Sequence, residues 1–262
     1  MADLADYAAA FSLSLDPAQL AQFRRYSELL REWNQRINLT AIDAPAEIEI
    51  RHFLDSLTVA TATGDLSDRR LIDVGTGAGF PGLALKILYP AMALTLVDSV
   101  AKKTRFLEAV AAELGLSDVT ILAERAETVG RQPAHREQYD WAVARAVAAL
   151  PVLVEYLLPL CRAGGSALAQ KGESAPREVS EARTAIGLLG GGEPILHPVK
   201  LPGRDETHYL VVIPKVATTP AAYPRSPGRP WRSRTAHPPA PGSRCSGTRS
   251  GRPSRCWGCP CA

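Results

Sequence analysis

Residues 71–82 read LIDVGTGAGFPG, and no other stretch of the chain restricts its fold as tightly. The apolar run Leu71, Ile72, Val74 stops in a glycine cluster and leads into the apolar, helix-compatible LALKIL, a pattern that predicts strand, tight turn and helix. Glycines at 75, 77 and 79 free the backbone to take positive φ and let a ligand approach the main chain. The N–H groups that open the following helix lack partners within it, so the turn suits an anionic or strongly hydrogen-bonding group.

Glycine spacing alone leaves the ligand open. Gly77, Gly79 and Gly82 satisfy GxGxxG, so the motif admits an NAD(P)-linked Rossmann oxidoreductase. Asp98 ends the next apolar run, ALTLVD, and a carboxylate there serves a ribose diol in either a nicotinamide or an S-adenosylmethionine site. Asp73 separates the two. An acid this close to the turn repels a pyrophosphate but suits the cationic, sulfonium-bearing end of S-adenosylmethionine. The structural alternative is a glycine turn used only for close strand–helix packing.

Length and charge narrow the class. At 262 residues the chain can bury a sizeable core. It holds no apolar run of the ~18 residues that read as a membrane span, and its first residues lack the basic segment of a signal peptide, so a cytoplasmic protein is expected. Its net charge is +3, but residues 216–262 carry eight arginines and no Asp, Glu or Lys, which leaves −5 for residues 1–215. Any nucleic-acid binding by the body therefore needs a local basic patch.

Residues 17–36 set Leu20, Phe23, Leu30 and Trp33 at helical spacing, with Arg24, Arg25, Arg31 and Arg36 available to phosphates or simply to solvent. In the WNQRINLT that follows, Asn34, Asn38 and Thr40 lie too close to Trp33, Ile37 and Leu39 for a plain linker. Pro45 opens a second helical pattern bearing Arg51, His52, Asp55 and Ser56; for His52 a structural hydrogen bond is the simpler account. Beyond the turn, strands at 93–98, 119–122, 139–143 and 166–170 alternate with helices at 101–114, 148–160 and 175–189. Lys102, Lys103 and Arg105 crowd the first turn of the 101–114 helix against its dipole, which hints at RNA phosphate binding or at a mere surface cluster. Parallel strands present their C-terminal ends to one crevice, so Glu127, Arg145 and Lys171 are candidates to line it. Runs at 195–201 and 207–214 predict an antiparallel hairpin that closes the sheet.

Taken together, WNxxxNLT (33–40), RHFLDS (51–56), DVGTGAGFPG (73–82), LVDSVAKKTRFL (96–107), AERAE (123–127), ARAVA (144–148), QKG (170–172) and HYLVVIPK (208–215) resemble the bacterial small-subunit rRNA guanine-N7 methyltransferases, the glucose-inhibited division protein B family. The resemblance spans about residues 15–230. It departs from the common pattern at Tyr209, where many members have leucine, and at Lys103, where others have Arg. It implies an α/β, class I (Rossmann-like) methyltransferase with a mostly parallel seven-stranded sheet, an antiparallel closing strand and an N-terminal helical extension. The expected organisation is an extension at 1–62, a methyltransferase domain at 63–215 and a disordered Pro/Arg-rich tail at 216–262.

The activity implied is S-adenosylmethionine-dependent methylation of N7 of a guanine in 16S rRNA near the decoding site, by a monomer that acts on that RNA or on the small ribosomal subunit. The cofactor falls against Gly75, Gly77 and Phe80, with Asp98 at the ribose, Ala126 and Glu127 near the adenine, and Arg145 also at the site. Guanine N7 has an in-plane lone pair and no proton, so no catalytic base is nominated. Arg145 and Lys171 are candidate guanine or RNA contacts, because N7 and O6 accept from Arg or Lys. Asn34, Asn38, Arg51, His52, Lys102 and Lys103 are candidate RNA contacts. A non-catalytic RNA-binding module is the remaining alternative, disfavoured by an intact cofactor turn. Beyond about residue 231 the sequence loses apolar periodicity, which suggests a change of reading frame. Its CxxC, Cys256 and Cys259, lacks a second half at metal-site spacing, so no metal is expected.

Overall fold

A computed structural model describes residues 4–226. The proposals for the CxxC and for the altered tail beyond residue 231 lie outside that range. A seven-stranded sheet runs in the order β3-β2-β1-β4-β5-β7-β6, with β1 at Arg70–Val74, β2 at Ala93–Val97, β3 at Val119–Leu122, β4 at Tyr139–Arg145, β5 at Cys161–Lys171, β6 at Ile195–Lys200 and β7 at Thr207–Pro214. The first five strands are parallel, and β7 runs antiparallel to both β5 and β6. The closing hairpin is thus as expected, with the reversed strand inside it and β6 on the edge.

Successive residues of each central strand feed different cores, as the pleat requires. Leu71, Leu94, Leu96, Val143, Leu168 and Leu210 join one apolar cluster. Ile72, Val97, Ala142, Ala144, Ala169 and Val211 join the other. The first face is covered by α1 (Leu4–Ala9), α2 (Pro17–Ile37), α6 (Gly82–Leu88) and α7 (Ala101–Glu113), together with the segment between α2 and β1. The second is covered by α9 (Leu150–Leu157) and α10 (Ala175–Leu188), with Val129 of α8 (Ala126–Val129). No helix among the described residues is long and apolar enough to cross a membrane.

Helix α2 is tied to the glycine turn as well as to the core. Asp16 and Gln19 form a capping box at its start, a device that contributes about 1 kcal/mol. Three turns on, the buried Tyr26 hydroxyl donates to the Ala78 carbonyl at 2.5 Å. A Cβ on Gly79 (φ +95°) would lie 2.4 Å from that hydroxyl, so glycine is needed there for both the backbone and the approach of the helix.

Two elements differ from expectation. The helix predicted from Pro45 is not one regular helix: α3 (Pro45–Ile48) widens into a π-helical turn at Glu49–Leu54 before α4 (Asp55–Leu57) and α5 (Ala60–Thr63). Such widened turns are frequent at functional sites, and this one carries Arg51 and His52. Strand β5 begins at Cys161, not 166. Its register with β4 shifts between Tyr139 and Trp141, and Gly165 allows the Asp140 carbonyl to pack where a Cβ would sit 2.7 Å away.

The disordered tail expected from residue 216 begins too early by at least eleven residues. Residues 216–226 lie against the body because their carbonyls find side-chain donors there. Arg136 donates to the carbonyls of Gly130, Thr219, Pro220 and Tyr223, Arg131 donates to that of Pro224, and Arg225 pairs with Glu155. Lys215, fully buried, donates to the Leu189 carbonyl and the Thr219 hydroxyl and faces Glu137 at 3.5 Å. Arg136→Ala removes three bonds to this segment and the one to Gly130 at once and is expected to lower the unfolding free energy by roughly 2–3 kcal/mol, read from a denaturant titration with unchanged slope.

Candidate functional site

The strand order reverses between β1 and β4, and a crevice opens at the C-terminal ends of those strands. It holds a cavity of about 360 Å³ whose lining includes Val74 and Gly75 from β1 and its turn, Asp98 and Val100 after β2, Ala126 and Glu127 of α8, and Val147 after β4. Gly75 takes φ +68°, and a Cβ there would meet a Val147 methyl at 2.6 Å. Asp98 accepts from the Gly77 N–H at 3.0 Å through one carboxylate oxygen and from the Val100 N–H at 2.9 Å through the other. Each oxygen has a further lone pair. A vicinal diol fits that free capacity, and Val100 and Val147, both 37% exposed, offer apolar surface for a flat ring. The residues present therefore suit an adenosine.

Beside it lies a second cavity of about 280 Å³, lined by Ile42, Arg51, His52, Asp55, Arg145, Leu201, Arg204 and His208. Ala146 lines both cavities and joins them. It adopts φ +55°, an uncommon conformation for a residue with a Cβ, and one concentrated at functional sites.

Arg145 is held on four sides. Its Nη1 donates to Asp55 Oδ2 at 2.8 Å and to the Arg51 carbonyl at 3.3 Å, its Nη2 faces His52 Nδ1 at 3.3 Å, and its guanidinium lies 5.0 Å from the Phe80 ring centroid. A guanidinium can only donate, so His52 Nδ1 is the acceptor and the imidazole carries its proton on Nε2, which donates to Thr40 Oγ1 at 2.9 Å. Burial and the neighbouring Arg145 push His52 down to about 4, so the ring is neutral at physiological pH. Burial alone would raise Asp55, but His208 and Arg145 outweigh it and hold the carboxyl below its usual range.

Known proteins with similar sequence fix the family. The model of the rRNA small subunit methyltransferase G family matches residues 19–202. It belongs to that family. Among its relatives, the ribosomal RNA small subunit methyltransferase G of Roseiflexus castenholzii is 56% identical over 230 residues, covering 88% of this chain and 97% of that one. That of Alkaliphilus metalliredigens is 47% identical over 216 residues, covering 82% and 90%. The branched-chain polyamine synthase of Thermus thermophilus shares the fold, with a TM-score of 0.51 at 14% identity over 74% of this chain and 64% of that one. As a member of the methyltransferase G family the chain is an S-adenosylmethionine-dependent methyltransferase. The nicotinamide and non-catalytic readings fall away.

Within this family member, the residues nominated from sequence separate into groups. Gly75, Asp98, Ala126 and Glu127 line the first cavity. Gly77 acts on it through Asp98. Phe80 is buried, stacked on Tyr26 and on His52, so its ring supports Arg145 from beneath. Arg145, Arg51 and His52 line the second cavity.

Lys103 does not stand with Lys102 as an outward cation; it lines the first cavity with its ammonium 3.7 Å from Asp98. Lys102 is exposed. Lys171 lines neither cavity, because its ammonium is taken by Glu178 at 2.8 Å and by the Ala148 carbonyl at 2.5 Å. Glu178 in turn accepts the Leu150 N–H at the start of α9, so Lys171 is bound into that helix terminus. Asn34 accepts from the N–H groups of Leu39 and Thr40, and Asn38 takes φ +49° to end α2. These two asparagines shape the turn that delivers Thr40 to His52.

Asp73 also departs from expectation, since it is fully buried and lines neither cavity. Its Oδ2 accepts from Thr76 Oγ1 at 2.6 Å and from the Gly82 N–H at 2.8 Å, which ties the glycine turn to the start of α6. Its Oδ1 is buried without a hydrogen-bond partner, and burial pushes the carboxyl up to about 6. A carboxyl with a folded pKa above its unfolded value stabilises the fold most when protonated. Stability is thus expected to fall as pH rises from about 4 to about 6, by roughly 3 kcal/mol for a shift of this size. Urea titrations across that window check this, and Asp73→Asn should flatten the contribution.

Asp55, Arg204 and His208 are polar residues of the second cavity that the sequence reading did not nominate. Strand β7 runs backwards, so its first residues, not its last, reach the crevice: Tyr209 lies opposite Lys171. Applying the antiparallel direction to HYLVVIPK would have placed His208 at the site.

Proposed function

We propose that the chain transfers a methyl group from S-adenosylmethionine to N7 of a guanine in 16S rRNA, with the cofactor in the first cavity and the guanine in the second. The observation that carries this reading is the pair of cavities joined at Ala146, one with a diol-accepting carboxylate and the other walled by a fixed guanidinium. The relatives' name, ribosomal RNA small subunit methyltransferase G, supports the RNA class.

When bound, S-adenosylmethionine would supply a methyl group on a sulfonium, for the N7 lone pair to take as the sulfur–carbon bond breaks and the neutral sulfide leaves. The chain's own work is alignment and exclusion of water. Asp98 anchors the ribose. Glu127 and Ala126, which line the same cavity, would meet the adenine. Arg145 has its Nε–H and one Nη2–H outside the contacts described above, and these suit O6 of the base beside the reacting N7. No proton leaves N7, and the neutral His52 is occupied by Thr40 and Arg145, in keeping with a reaction that needs no general base. Arg51 and Arg204 at the rim meet the flanking phosphates.

Incubation of the enzyme with labelled S-adenosylmethionine and rRNA from a strain lacking the modification tests this. Label confined to 16S rRNA or 30S particles is expected. Equal labelling of 23S rRNA, or of neither, would refute it.

A further inference from the structure

In the second cavity, Asp55 is the one carboxylate among the described residues, beside several cations and imidazoles, and its two oxygens are divided between two partners. Oδ2 holds Arg145 at 2.8 Å, and Oδ1 faces His208 Nδ1 at 3.3 Å. Asp55 is fixed from below, since Gln170 Nε2 donates to its carbonyl at 2.8 Å and Thr58 Oγ1 to the same oxygen at 2.6 Å. The backbone that carries the carboxylate is therefore held in place, and what can vary is how the carboxylate's charge is shared. His208 is half-exposed, unlike the buried His52, so solvent protons reach it.

We propose that Asp55 and His208 are positioning residues for Arg145, and that protonation of His208 weakens the hold of Asp55 on that guanidinium. This rests on the reading of the second cavity as the guanine site. With His208 neutral, one carboxylate faces one cation and Arg145 is firmly aligned. With His208 protonated, two cations share the carboxylate. The added charge also faces a purine that gains positive charge as the methyl group arrives, so the transfer step slows.

The other groups that face His208 are Arg204 and Glu206 on its own hairpin and, across the cavity, Arg145, Arg51 and His52. Arg204 and Glu206 pair with each other at 3.3 Å. The Asp55 contact raises His208 above its ordinary value, which moves its titration toward neutral pH, where it has consequences for the working enzyme.

Single-turnover methyl transfer to unmodified 16S rRNA, at saturating cofactor and RNA, is measured from about pH 5.5 to 9 for the wild type, His208→Gln and Asp55→Asn. The wild-type rate is expected to rise through an inflection in the histidine range. His208→Gln should abolish that inflection while keeping a rate within about tenfold of the wild-type plateau. Asp55→Asn should lower the rate about 10- to 100-fold with unchanged S-adenosylhomocysteine affinity. His208 is half-exposed, so its variant keeps the test available if Asp55→Asn fails to fold. An unchanged inflection in His208→Gln beside an active wild type would overturn the positioning proposal and leave the guanine-site reading standing. Absence of transfer by the wild type would overturn both.

Discussion

Arg145→Lys is expected to cut methyl transfer by about 100-fold at saturating cofactor, the cost of losing fixed alignment at a reacting base. Lysine keeps the charge opposite Asp55 but cannot reproduce the planar fork that reaches Asp55, His52 and the Arg51 carbonyl together while lying over the Phe80 ring. Alanine is the less informative variant, because it leaves the buried Asp55 carboxylate without its main cation. Breaking such a pair costs about 3–5 kcal/mol, so Arg145→Ala would mix lost stability with lost chemistry. Three readings separate the effects for Arg145→Lys: transfer rate, S-adenosylhomocysteine affinity by calorimetry, and melting temperature. A large fall in rate with little change in the other two is the expected result. A proportionate loss of cofactor affinity would instead assign Arg145 to the cofactor cavity, which the resemblance implies and the lining residues do not.

Gly75→Ala should weaken S-adenosylhomocysteine binding by about 10- to 100-fold, through two strains that act together. The backbone at φ +68° disfavours any L side chain, and the new methyl would stand 2.6 Å from Val147 Cγ2. Either the turn gives way or Val147 moves, and both line the cofactor cavity. Gly75→Ala with Val147→Ala removes the collision but not the φ strain. That double variant is expected to recover part of the loss, and the recovered fraction measures how much of it was steric.

The architecture was legible because its signals are short-range. Strand, glycine turn and helix follow one another within residues 71–88, and apolar runs at regular spacing mark the other parallel strands. What escaped is mostly long-range. Nothing local says that Lys171 will find Glu178 and the Ala148 carbonyl before it can reach a substrate. Likewise, Asp73 looks like a cofactor ligand from its place next to the glycines, yet it is consumed by Thr76 and the start of α6. The π-helical turn at Glu49–Leu54 leaves no periodicity mark over so few residues. The 216–226 segment shows no apolar periodicity to mark it, and backbone carbonyls met by Arg131 and Arg136 do much of its anchoring.

The two cavities give a physical reason for a base-free reaction. Among its described residues the second cavity contains a carboxylate and two imidazoles, the usual equipment of proton transfer, but each has a partner: Asp55 pairs with Arg145 and His208, and His52 with Thr40 and Arg145. That commitment matches an acceptor nitrogen that has no proton to lose.

The identity of the product base tests the account most directly. Unmodified 30S particles would be methylated with labelled S-adenosylmethionine, the RNA digested to nucleosides, and the labelled nucleoside identified by chromatography and mass. All label in 7-methylguanosine is the predicted result. Label in a methylated adenosine or cytidine, or on a guanine position that must first lose a proton, would contradict it.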